Sequence, residues 1–344
     1  MSPNLVRASS SSRKLVRILQ HRLRRETASM AFRIREDESM VHGLRCLAKK
    51  QLASAGECLD GGKSPRESAV HAARKSVKKV RAIVHLVRSD DGQGLSKSRK
   101  RLRNANRVLS QFRDADAMTE TLAALLDREP GVLSEHTRAR LHRQLAEHRN
   151  AVARAAADGG TWRDVADELL AIRKTVKRWS QSHQGFGGLA PGLRKTHKRG
   201  GKAMERAVDR DNADDFHQWR KEIKALWYEL RLLEEFSPSV KRYVEQLDRA
   251  ETALGDDHNI AVLCAFLGGS RAVADDAGAM RQFLRQADTY QQELRRMAVA
   301  NTKPIYDMAT GDLVRDVRQV WRDRRRNREA RRPATGAAKA ARRS

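Results

Sequence analysis

Two stretches of this sequence carry the same four side-chain types at the same spacing: His71-x-x-Arg74-Lys75-x-x-Lys78 and His217-x-x-Arg220-Lys221-x-x-Lys224. Successive residues of a helix turn by about 100°, so each set of four shares roughly 100° of arc. Arg81 and His85 extend the first strip, and Tyr228 and Arg231 extend the second. From residue 71 to 85 the strip is about 21 Å long at about 1.5 Å rise per residue. Each histidine is followed by cations at i+3 and i+4, which argues against a metal site. What the strips do offer is donors. Forked guanidinium groups, mobile ammonium groups and imidazoles together suit a row of anionic oxygens. Like charges at i,i+3 and i,i+4 destabilise an isolated helix, and no glutamate relieves the first strip. The same unfavourable pattern occurring twice in one register points to an anionic ligand rather than to a merely solvated face.

The strips need helices to carry them, and the apolar residues supply the pattern. Val70, Ala73, Val77, Val80, Val84 and Val87 recur at three and four, the spacing of a core-facing stripe. Phe216, Trp219, Ile223, Leu226, Leu230 and Leu233 match them at an offset of 146, with the polar positions in step. Further on, LSQFRDADAM from Leu109 corresponds to LGDDHNIAVL from Leu254 at an offset of 145. Two matches in one order at nearly one offset indicate an internal duplication. The halves are not electrically equivalent, since Arg103 corresponds to Asp248.

Other helices are expected to complete the basic wall. Arg99, Arg103 and Arg107 stand at i, i+4 and i+8, as do Arg194, Lys198 and Lys202, with His197 and Arg199 beside the latter. Arg113-Asp114-Ala115-Asp116 and Asp256-Asp257-His258-Asn259 are read as helix starts, where Asp and Asn cap and acids favour the first turn. Walker A, GxGxxG and GxSxG patterns are absent, so no residue is assigned a catalytic role, no metal is expected and no cofactor is implied.

Composition sets the class. Only 7 prolines and 21 glycines interrupt 344 residues rich in strong helix formers, and period-two β-branched runs are missing, so the fold is expected to be all-α. Turn residues break the chain at 61–65, 90–94, 129–131, 158–160, 182–192, 237–239, 268–269 and Pro304. A basic segment at 1–29, two half-bundles at 30–182 and 183–321, and a tail at 322–344 follow. The tail has no apolar face and is expected to be disordered. The net charge of +27 is far beyond what solubility requires. The tail holds ten Lys/Arg against Asp323 and Glu329, a net +8 that leaves most of the excess in the body. Three cysteines without a CxxC pair fit a reducing cytosol rather than a disulfide scaffold. No apolar run approaches the roughly 20 residues of a membrane span. No apolar segment follows Arg7 and the serines at 9–12 to make a signal peptide.

At these residues the chain resembles the CHAD family, the conserved-histidine α-helical domain. The likeness rests on the two histidine-led strips, the second continuing to Leu226-x-Tyr228, on Arg113-Asp114, and on Leu254-Gly255-x-x-His258. It covers roughly residues 30 to 321. The resemblance implies two four-helix bundles related by pseudo-twofold symmetry with a basic groove or pore between them. It also implies binding of inorganic polyphosphate and, in bacteria, association with polyphosphate granules in the cytoplasm. Asn259 departs from the family, which has an acidic residue there. Many relatives carry a triphosphate-hydrolysing domain marked by ExExK; this chain shows no such segment. A non-catalytic polyphosphate binder is therefore expected. A nucleic-acid binder would share the charge but adds aromatics among the basic residues for stacking. A phosphohydrolase would need a carboxylate cluster for metal.

Overall fold

The computed structural model describes residues 32–34, 38–60, 67–87, 93–158, 161–179, 186–232, 234, 238–269 and 276–331. The fold is all-α: the described residues contain no strand. The helices are α1 (Met40–Leu59), α2 (Glu67–Leu86), α3 (Gln93–Arg128), α4 (Glu135–Asp158), α5 (Thr161–Thr175), α6 (Ala190–Arg210), α7 (Ala213–Arg231), α8 (Pro238–Gly268), α9 (Ala277–Tyr306) and α10 (Thr310–Arg331). Short 3-10 turns at Val176–Arg178 and Phe186–Gly188 lie between α5 and α6.

Helices α1 to α5 pack on one another, and so do α6 to α10. The two groups meet where α2 lies against α6 and α7, and where α3 lies against α8. The helices at this junction include those that carry the two matched sequence segments. The apolar register read from the sequence is the register that is buried. Ala73, Val77, Val80, Val84, Trp219, Ile223 and Leu226 are fully enclosed, in one core continuous across both groups. That burial fixes the rotation of α2 and α7 and hence where their basic faces point. Leu233 lies outside the described residues.

Two close approaches fix the helix positions further. A Cβ on Gly192 would stand 2.5 Å from the Leu86 carbonyl oxygen, so the start of α6 can rest on the end of α2 only with glycine there. Between α6 and α7 the sequence offered no proline or glycine, and the turn escaped notice. Asp211 closes α6 in the left-handed region at φ 42°, and Asn212 caps α7 by accepting the Asp215 N–H at 2.9 Å. Asn and Asp tolerate these conformations better than other non-glycine residues.

Three expectations require correction. The acidic pairs at 113–116 and 256–259 are not helix starts; they lie inside α3 and α8. Asp257 is buried and accepts Arg295 Nε at 2.9 Å and Gln291 Nε2 at 3.0 Å, both from α9. A carboxylate satisfied by a neighbouring helix does not need to cap its own. Pro304 does not end α9, which runs two residues further; it sits in the last turn. Finally, α10 continues to Arg331 rather than stopping at Trp321, since arginine is a good helix former and Gln319 bonds Asp323 one turn on. Residues 1–31 and 332–344 lie outside the described residues, and so do the expectations that fall on them.

Candidate functional site

Because α2 and α7 lie side by side with their apolar stripes in the core, their basic strips converge at the junction of the two groups. Arg74 and Lys78 of α2 and Arg220 and Lys224 of α7 form its centre. Burial lowers the Lys78 ammonium well below its ordinary value, and the charges of Lys224, Arg74 and Arg220 lower it further. Burial also brings Lys224 down to about 8, with Arg220 adding to the effect. These side chains are about one-fifth exposed or less: 16% for Arg74 and 19% for both Arg220 and Lys224. A cation that is depressed by other cations marks a place where the free protein lacks negative charge.

The outer members stand nearer solvent. His71 and Lys75 are exposed and Arg81 is half-buried on α2, while Lys221 is exposed on α7. Arg81 is lowered by burial and by Arg103 of α3, and Lys221 by burial and by Arg81, so three helices bring cations together here. Arg99 is half-buried, and Arg103 and Arg107 are exposed along α3. Arg194, Lys198 and Lys202 are exposed on α6, where with Pro191, Lys195 and Arg199 they line an open concavity of about 410 Å³. Arg199 holds Glu222 of α7 at 2.6 Å, which ties this second patch to the flank of the central one. His197 is structural: it is buried, with Nδ1 2.9 Å from Thr310 Oγ1 and Nε2 2.8 Å from the Ile305 carbonyl.

The far end of the α7 strip is not a binding surface. Tyr228 is buried against Phe32, their rings edge to face at 5.9 Å, and Arg231 is buried with its guanidinium over the Trp227 ring. The 32–34 segment covers this end: Ile34 donates to the Leu232 carbonyl and Arg33 meets Glu234 at 3.5 Å. Tyr228 and Arg231 are thus withdrawn from the site.

Two side chains from α8 complete the centre, and sequence reasoning had not assigned either to it. His258 stacks on His217 with ring centroids 3.8 Å apart and planes 28° from parallel. Burial, then His258, Lys221, Arg220 and Lys78, lower His217 to about 3, while burial and then Arg220 and Arg74 lower His258 to about 4. Both imidazoles are neutral at physiological pH. His217 Nδ1 and Arg220 Nε are buried without a hydrogen-bond partner among the described residues. Glu251 is the other addition. Its Oε1 accepts from Arg220 Nη2 at 3.0 Å and from Lys224 Nζ. Burial would raise the carboxyl, but Lys224, Arg220 and Lys78 overcome it and hold Glu251 well below the usual carboxylate range. Gly255, one turn on, lets the Arg220 guanidinium lie against α8, because a Cβ there would stand 2.9 Å from Nη2. The Gly255-x-x-His258 pattern was a signal for this contact; an isolated glutamate gave none.

Such a site can bind and neutralise extended anionic oxygen arrays. Among the described residues no group of three or more His, Cys, Asp or Glu gathers where a metal could sit, and no helix is long and apolar enough to cross a membrane. In comparisons with known proteins, a sequence model described as the CHAD domain matches residues 60–268. Among solved structures the chain is similar to the crystal structure of the CHAD domain from the plant Ricinus communis. The two are 17% identical over 79% of this chain and 94% of that one, with a TM-score of 0.49. No curated protein matches the chain.

Proposed function

The chain belongs to the CHAD domain family, and from that premise we propose that it is a non-catalytic receptor for inorganic polyphosphate, acting at polyphosphate granules in the cytoplasm. The observation that carries the reading is the convergence of Arg74, Lys78, Arg220 and Lys224 from two facing helices, with the ammonium groups of Lys78 and Lys224 depressed by burial and by neighbouring cations. A polyphosphate chain supplies the missing negative charge without needing any base-reading or stacking surface. Lys75, His71 and Lys221 at the exposed rim meet the chain first, and Arg81 with Arg103 continue the file across α3. Guanidinium forks bind phosphate oxygens in pairs, while lysines follow a flexible ligand as mobile point charges.

A nucleic-acid ligand is the second reading, favoured by the net charge of +27. Against it, Trp219, Trp227 and Tyr228 are all buried, and the exposed large hydrophobic side chains among the described residues are Leu170, Val208 and Met297, none aromatic. Single-strand binding without stacking platforms is weak and strongly salt-dependent. Competition decides between them. Labelled polyphosphate bound to the protein is challenged with duplex and single-stranded DNA at matched total charge and fixed salt. Polyphosphate retained against both is the expected result; displacement by either DNA at equal charge removes the assignment.

A further inference from the structure

Taking polyphosphate as the ligand, we infer that Glu251 is a resident competitor anion that makes the site discriminate by chain length, rejecting single phosphates and short chains while admitting long ones. Glu251 occupies, with one oxygen, the place a phosphate oxygen would take between Arg220 Nη2 and Lys224 Nζ. It is buried, so its bonds to the two cations are little screened by water. Its charge also acts on Lys78 across the junction, so three of the four central cations are partly satisfied before any ligand arrives.

The register of the two matched segments shows that this is not a general requirement of the fold. Residue 106 is the counterpart of Glu251 at the offset of 145, and it is an asparagine. Asn106 bonds Ser110 Oγ at 3.4 Å and brings no charge. On the α2 side the carboxylate that stands near the strip is Asp114, 3.9 Å from Arg74 and one-third exposed, a looser and more hydrated pairing. The α7 side of the site therefore holds a buried carboxylate in direct contact with its cations, and the Arg74–Asp114 pairing on the α2 side is looser.

An orthophosphate entering the centre must share cations with a carboxylate that is already in place at high effective concentration. Its gain over the free state is small. A long chain need not displace Glu251 to be held, because it can run along Lys75, His71, Lys221 and Arg81, whose contacts Glu251 does not oppose. The competitor thus subtracts most from a ligand too short to bind anywhere but the centre, and less from one that can spread its contacts over the rim.

The test is calorimetry of orthophosphate, tripolyphosphate and long-chain polyphosphate on the full chain and on Glu251→Gln, at fixed salt and pH. The expected result is about tenfold or more gain in affinity for orthophosphate and tripolyphosphate in the variant, and a clearly smaller gain for the long chain. An equal change for all three ligands, or a loss for the short ones, overturns the inference while leaving polyphosphate as the ligand. A parent protein that binds no long-chain polyphosphate removes the ligand assignment and this inference together. Should Glu251→Gln fail to fold, as judged by circular dichroism, Asn106→Glu decides by the converse: tripolyphosphate affinity falls more than long-chain affinity, and equal falls refute the role.

Discussion

The basic strips of α2 and α7 share the same first four residues at the same spacing, yet they are set differently in the molecule. On α2, His71 and Lys75 stand in solvent, and Arg74 has Asp114 at 3.9 Å. On α7, His217 is stacked on His258, Arg220 and Lys224 grip a buried carboxylate, and Tyr228 and Arg231 are enclosed. The difference teaches that a repeated pattern can divide one task. The α2 strip keeps His71 and Lys75 at the surface, whereas the α7 strip commits Arg220 and Lys224 to Glu251 of α8. Substitutions at matched positions should therefore fail in different ways.

Stability gives the largest contrast. Replacing Arg220 and Lys224 together leaves Glu251 buried without either of its ion-pair partners, and breaking such a pair from one side costs about 3–5 kcal/mol. Replacing Arg74 and Lys78 together removes a loose ion pair with the one-third-exposed Asp114 and one of the charges acting on Glu251, but relieves a crowded ammonium and leaves both ion-pair partners of Glu251 in place, so the loss should be clearly smaller. Urea unfolding of the two double variants measures this directly. Equal losses would mean that Glu251 is not held as the structure shows, and the two strips would then be equivalent after all.

Affinity should order the same regions the other way. Neutralising Arg74, Lys75 and Lys78 is expected to weaken long-chain polyphosphate binding by on the order of a hundredfold, as two or three charge-assisted contacts are lost. The Arg220, Lys221, Lys224 variant should lose less, because two of those cations are already shared with Glu251, provided it is assayed where it remains folded. Neutralising Arg324, Arg325 and Arg326 near the end of α10 should change affinity only severalfold. A tail variant that loses as much as the α2 variant would show that binding is diffuse and not seated at the junction.

Much of this was legible in the sequence, for a definite reason. The three-four spacing of Val70 to Val84 and of Phe216 to Leu230 states both that helices form and which face is buried, and from that the polar face follows by geometry. The place of Arg74, Lys78, Arg220 and Lys224 on the flank of the buried face follows too. What periodicity cannot state is which helix comes to lie over a face. Tyr228 and Arg231 satisfy the strip's spacing but are covered by Phe32 and Ile34, nearly two hundred residues away in the chain. Asp257 looked like a cap because its partner Arg295 lies on another helix. Glu251 carried no pattern at all; its meaning exists only once α8 packs on α7.

The smallest expected effect concerns the histidines, and it separates the strips most finely. In the folded protein His217 is lowered to about 3 and His258 to about 4, against an ordinary value of about 6.5. A histidine held neutral by folding contributes stability that is complete above its unfolded pKa and is lost as pH falls toward its folded one. Thermal stability should therefore decline between about pH 6.5 and 4, and His217→Gln should flatten part of that decline. On α2, residue 113 is the counterpart of His258 and is arginine rather than histidine. A bound polyanion cancels the charges of Lys221, Arg220 and Lys78 but not the burial, which is the largest cause of the shift in both imidazoles. Both pKa values should consequently rise on binding without reaching the ordinary one. Proton uptake, measured by calorimetry in two buffers of different ionisation enthalpy, should be small at pH 7, grow toward pH 5, and shrink in His217→Gln. Substantial uptake at pH 7 that survives in His217→Gln and disappears in His71→Gln would place the responsive imidazole on α2 and invert the division of labour between the two strips.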